Sequence, residues 1–118
     1  MKVAINRCFG GFGLSDEAFE KLLERKGIAF EKQEAKIFGD FDYYHAGHVG
    51  DDEHYISEYQ FSEDRADKDL VAVVEQLGAA ANGFAAELAI VEIPDNVQWH
   101  ISEYDGIEHV AENHRTWS

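Results

Sequence analysis

The stretch Leu88-Ala89-Ile90-Val91-Glu92-Ile93-Pro94-Asp95-Asn96-Val97-Gln98-Trp99-His100-Ile101-Ser102 decides the fold class. Its first six residues form an apolar run of strand length. Pro94-Asp95-Asn96 is turn chemistry, because proline presets φ and the Asx side chains bond their own backbone. Val97, Trp99 and Ile101 then alternate with Gln98, His100 and Ser102, the period of a half-buried strand. Read as a pair, the two runs predict a hairpin, and hence a mainly antiparallel sheet.

Outward from there, Tyr104-Asp105-Gly106 reads as a second turn. Ile107 to His114 reads as a short C-terminal helix with Arg115 at its negative end. Upstream, Asp67 begins a helix whose apolar face is Leu70, Val71, Val73, Val74 and Leu77. Ala79-Ala80-Ala81 can extend it, and Asn82-Gly83 ends it. At the N-terminus Val3-Ala4-Ile5 is a strand, broken by Phe9-Gly10-Gly11-Phe12-Gly13. Ser15 then caps a helix over Asp16 to Lys26, with Phe19, Leu22 and Leu23 on one face and Gly27 at its end. Ile28 to Phe30 suits a short strand. Tyr44 to His54 reads as a solvated loop inside an acidic, histidine-bearing segment of about residues 40–54. His54 to Phe61 reads as a further strand. The expected fold is α+β: one small domain over residues 1–118, a mainly antiparallel sheet and two to three helices.

Composition sets the limits. The chain has 118 residues, is 45% hydrophobic and carries a net charge of -14. That apolar fraction excludes a disordered acidic tail. The acidity argues against a binder of duplex nucleic acid, which presents a basic face. The single cysteine, Cys8, excludes an internal disulfide and suits a reducing cytoplasm. No apolar run approaches the roughly 20 residues of a membrane span, and the first residues lack the pattern of a signal peptide.

Five constellations can carry chemistry. Asn6 to Ser15 joins a strand to a helix N-terminus, where backbone N–H groups suit an anion and glycines allow close approach. Phe9 and Phe12 can stack on a base there. A tight turn with two core phenylalanines explains the same residues. Residues 69 to 114 contain no Lys or Arg, so Arg115 stands alone. With Arg7 and Arg65 it makes a phosphate clamp if the three converge, and otherwise a helix-end cation. His45, His48, Asp51, Asp52 and His54 are of metal-ligating types, but their spacing matches no established site; the solvated loop is preferred and no metal or cofactor is expected. Cys8 with His109 or His114 lacks the orienting group of a nucleophile and reads as structural. Asp105 can hold ribose hydroxyls or simply close its turn.

Three blocks, "INRCFGGFGLS", "DRADKDLVAVVEQLG…ANG" and "AIVEIPDNVQWHISEYDGIEHVAENHRTW", together resemble the small phage proteins of the first anti-Thoeris family. The likeness spans nearly the whole chain except Gly39 to Ser62, a stretch longer than the family pattern. It implies a sponge. Thoeris defence makes a cyclic ADP-ribose isomer with a TIR-domain enzyme, and sponges bind that signal without degrading it. It also implies a homo-oligomer with pockets between subunits, a location in the cytoplasm of an infected bacterium, no catalytic residues, and the option of other cyclic nucleotides at a separate site. Inside the matching blocks, ligand contacts are expected from Asn6, Arg7, Phe9, Gly10, Gly11, Phe12, Arg65, Asn82, Asp105 and Arg115, with Phe84 and Trp117 as further stacking surfaces. The competing reading is an acidic, DNA-mimic-like inhibitor of a host protein, which the charge alone would suit.

Overall fold

The computed structural model describes residues 1–34 and 41–112. Among these residues, three antiparallel sheets and three α-helices make up an α+β fold. Strand β1 (Lys2–Asn6) is followed by helix α1 (Asp16–Arg25) and by the meander β2 (Phe30–Glu34), β3 (Phe41–His45) and β4 (Tyr55–Ile56). A one-turn helix α2 (Tyr59–Ser62) leads to α3 (Lys68–Leu77), and β5 (Leu88–Glu92), β6 (Trp99–Tyr104) and β7 (Ile107–Glu112) complete the order. Among the described residues no helix is long and apolar enough to cross a membrane.

The two long helices form where the sequence predicts them. Ser15 Oγ accepts the Ala18 N–H at 3.1 Å and Asp67 Oδ2 accepts the Leu70 N–H at 3.0 Å, so each satisfies a donor that the first turn leaves unpaired. Ala18, Phe19, Leu22 and Leu23 from α1 meet Leu70, Val73 and Val74 from α3 in one buried core with Ala4, Tyr43 and Ile56. Phe19 meets the edge of Tyr43 with ring centroids 4.9 Å apart. The Tyr43 hydroxyl donates to Glu20 Oε2 at 2.8 Å, and burial, then this carboxylate, pushes its pKa up.

The strand pairing differs from the expected hairpin. β5 does not pair with β6; it lies antiparallel to β1, with Val3 opposite Val91. The N-terminal ammonium donates to Ile93 O at 2.7 Å and to Asp95 Oδ1 at 2.5 Å, tying the start of β1 to the end of β5. The hairpin is instead β6–β7, joined by Asp105-Gly106, both at positive φ (51° and 87°). That two-residue turn matches the twist of the strands it joins, which makes Asp-Gly a strong hairpin signal.

Four further expectations are corrected. The helix expected from Ile107 to His114 is not seen over residues 107–112, which are strand β7, because the Asp-Gly turn sets the register and Glu108 is held by an arginine described below; Asn113 and His114 lie outside the described residues. The predicted strand over 54–61 is only Tyr55–Ile56 and then becomes α2. Tyr44 is not in a solvated loop but in β3, buried and edge-on to Tyr55, its partner across the sheet. Two adjacent buried tyrosines hide the period-2 alternation that would have marked the strand. The short strand expected at Ile28 to Phe30 starts at Phe30 and runs to Glu34.

Candidate functional site

Strand β1 delivers Asn6 into the centre of the glycine-bearing loop. Asn6 is fully buried. Its Nδ2 donates to Cys8 O and Gly106 O, both at 2.7 Å. Its Oδ1 accepts the Glu87 N–H at 2.8 Å and the Cys8 N–H at 3.2 Å. Both amide protons and both lone pairs are engaged. Asn6 therefore ties three segments together (7–13, 82–87 and 104–106), and its amide has no capacity left for a ligand.

Glycines lock the same three segments at backbone contact. A Cβ on Gly10 would overlap Ala85, and one on Gly106 would overlap the Phe9 carbonyl. One on Gly83 would lie 2.7 Å from the Gly13 carbonyl carbon. Gly10 N–H donates to Ala85 O at 3.1 Å, and Gly83 N–H to Gly13 O at 2.9 Å. The close approach that these glycines permit is thus between protein strands rather than to a ligand. Gly11, at φ 88°, has open space on its Cβ side. Ala85 is held at φ 58°, a left-handed conformation that costs an L-residue roughly 1–2 kcal/mol.

Several backbone donors at the entry to α1 are taken by the protein's own groups. Glu58 Oε1 accepts the Leu14 N–H at 2.8 Å, Ala81 O accepts the Ser15 N–H at 2.9 Å, and Ser15 caps Ala18. Burial raises the Glu58 pKa, against the Leu14 N–H and the Arg65 charge, which lower it. The two phenylalanines part company. Phe12 packs against the core and carries the Arg65 guanidinium 3.8 Å from its ring centroid. Phe9 is 68% exposed.

Arg65 is likewise committed. Its backbone O accepts the Ala4 N–H at 2.8 Å. Its guanidinium grips Glu108 through two bonds of 2.5 and 2.9 Å and donates from Nε to Ser62 O at 2.7 Å. Glu108 is 8% exposed, and its Oε1 also accepts the Asn6 N–H at 2.9 Å. This buried pair pins β7 beside the end of β1. Sequence reasoning missed Glu108 altogether, since it lay within the expected helix.

Two concave surfaces flank the interlocked loops. A shallow one, about 520 Å³, brings together four candidates, Phe9, Gly10, Gly11 and Asp105, with Glu103 and Gly106. A deeper cleft of about 400 Å³ takes in Asn82 with Phe41, Tyr55, Glu58, Gly83 and Phe84. Asn82 Oδ1 accepts the Leu88 N–H at 2.8 Å, and Phe84 is 100% exposed. Among the described residues, neither lining includes an arginine or lysine. Arg7 is exposed and donates its N–H to Glu87 O at 2.8 Å. Arg115 and Trp117 lie outside the described residues. Arg7 and Arg65 therefore do not join a clamp within the described cleft linings.

No family model matches the chain, and neither a curated protein nor a solved structure matches it. The class that the fold defines is a small antiparallel α+β protein whose glycine-bearing loops are interlocked.

Proposed function

We propose that the protein is a sponge that sequesters a cyclic ADP-ribose isomer made by a TIR-domain enzyme, in the cytoplasm of a phage-infected bacterium, without degrading it. The reading rests on the three sequence blocks that resemble the first anti-Thoeris family. The observation that supports it best is the meeting of Phe9, Gly10, Gly11 and Asp105 around one depression. An exposed ring for the base and a carboxylate for ribose hydroxyls stand there on loops packed backbone to backbone, where a Cβ on Gly10 or Gly106 would overlap its neighbour. Rigidity serves a sponge, because a preorganised site loses little entropy on binding, and nanomolar affinity requires about -12 kcal/mol.

The pyrophosphate needs cations that the described linings do not provide. In this reading they come from Arg115 or from a second copy, and the ligand sits between subunits. The exposed Phe9 and Phe84 rings suit such a junction.

Calorimetric titration with cyclic ADP-ribose isomers, then heat release and mass analysis of the ligand, tests the reading. Tight binding and unchanged ligand are expected. Phe9→Ala should weaken binding by about 1–3 kcal/mol, the worth of a stacked base, with the melting temperature unchanged because Phe9 is exposed. No heat with any isomer, or a cleaved ligand, overturns the proposal.

A further inference from the structure

The loop between β3 and β4 is wound so that three side chains of metal-ligating type converge. Its base is anchored: Ala46 N–H donates to Ala29 O at 3.1 Å, and Gly47 N–H to Glu31 Oε1 at 2.5 Å. Gly47 and Gly50, both at φ 87°, let the chain reverse twice in a space that L side chains rarely allow. Three bonds of i to i+3 type follow. His48 N–H donates to His45 O, Asp51 N–H to His48 O and His54 N–H to Asp51 O, at 3.0, 3.0 and 2.8 Å. Residues 48, 51 and 54 consequently share one side of the loop.

Their side chains close the arrangement. The His48 and His54 rings lie 3.7 Å apart and 7° from parallel. Asp51 Oδ2 is 2.9 Å from His54 Nδ1, while Oδ1 caps the Glu53 N–H at 3.0 Å. One ligand atom from each of the three lies within 4.8 Å of the others. Around a tetrahedral ion with bonds of about 2.1 Å, ligand atoms stand about 3.4 Å apart. Binding therefore requires the His48 and His54 rings to turn out of their parallel stack so that one nitrogen of each faces the ion. No Lys or Arg lies between Gly39 and Asp64, and Asp52 and Glu53 adjoin the group, so the local charge favours a cation.

We propose that His48, Asp51 and His54 form a three-ligand site for a divalent transition metal of the zinc type, with water completing the coordination. Two imidazoles select zinc-like ions over magnesium or calcium, which prefer all-oxygen sets. None of the three residues lines either cleft, so the proposal stands apart from the sponge reading.

The test is titration of chelator-stripped, full-length protein with zinc alone against a chromophoric chelator, with magnesium as a parallel arm. One zinc per chain and no magnesium competition are expected. His48→Ala and His54→Ala should each weaken binding at least tenfold, and the double variant should remove the site while its circular dichroism stays that of the wild type. The double variant matters because His45, His100, His109 and His114 offer other imidazoles. Absence of zinc binding in the wild type, or equal affinity in the double variant, overturns the proposal. Unchanged affinity in Asp51→Asn overturns the three-ligand assignment.

Discussion

Arg65 and Asp105 show how differently two candidate residues can fare once placed. Arg65 was a phosphate ligand by chemistry and is a structural ion pair by position, with Glu108 at 8% exposure as its partner. Arg65→Ala should therefore cost about 3–5 kcal/mol, because it strands a buried carboxylate. Chemical denaturation would measure this, and adding Glu108→Gln to the variant should recover part of the loss. Asp105 remains available. It occupies the first position of the hairpin turn at φ 51°, a conformation that Asn also accepts readily. Asp105→Asn should leave the melting temperature alone and weaken ligand binding, as seen by calorimetry. Loss of stability with affinity retained would mark Asp105 as turn chemistry only. Neither outcome was legible beforehand, since a sequence states what a side chain can bond and not what lies opposite it.

At the scale of elements, helix α3 is held by its first residue. Burial pushes the Asp67 carboxyl up, but the Leu70 N–H and the Lys26 ammonium, 3.0 Å away, outweigh it and hold it below its ordinary value of 3.8. A lowered carboxyl contributes stability that is present above the unfolded value and lost as pH falls through the folded one. Asp67→Ala should cost about 0.5–2 kcal/mol at neutral pH, and the gap to wild type should shrink as pH falls below about 4. Thermal melts across pH check it. The cap, the helix and its apolar face were all readable, because they depend on residues within a few positions of one another. The β1–β5 pairing was not, since its partners stand more than eighty residues apart.

For the molecule as a whole, the β6–β7 hairpin poses the main question. Trp99, Ile101 and Val110 share one face and are only half-buried. Glu103 and Glu108 stand opposite each other on that face, a pairing that repels unless compensated. Here Arg65 takes Glu108, and Glu103 accepts the Gly106 N–H at 3.0 Å. A two-stranded ribbon with partly covered apolar residues is marginal alone and gains from a second layer. If that layer is another copy, Ile101→Asp should convert the assembly to a 13.3 kDa species in light scattering and weaken ligand binding with it. A wild type that is already monomeric with bound ligand would remove the hairpin from the site.

By itself the sequence determined the α+β class, the two long helices with their caps, the Asp-Gly turn and the grouping of candidate residues into loops. Each of these is set by local spacing and local hydrogen bonding. Tertiary structure decided which strands pair, that residues 107–112 extend rather than coil, and which candidates stay free. Asn6, Phe12 and Arg65 were absorbed into the scaffold, while Phe9 and Asp105 were left at a surface. It also decided that His48, Asp51 and His54 stand together, because two glycine reversals bring them there and no ligand spacing announces it. The physical reason is common to all of these: long-range pairing and burial depend on what a distant segment presents, and a distant segment leaves no mark on local pattern.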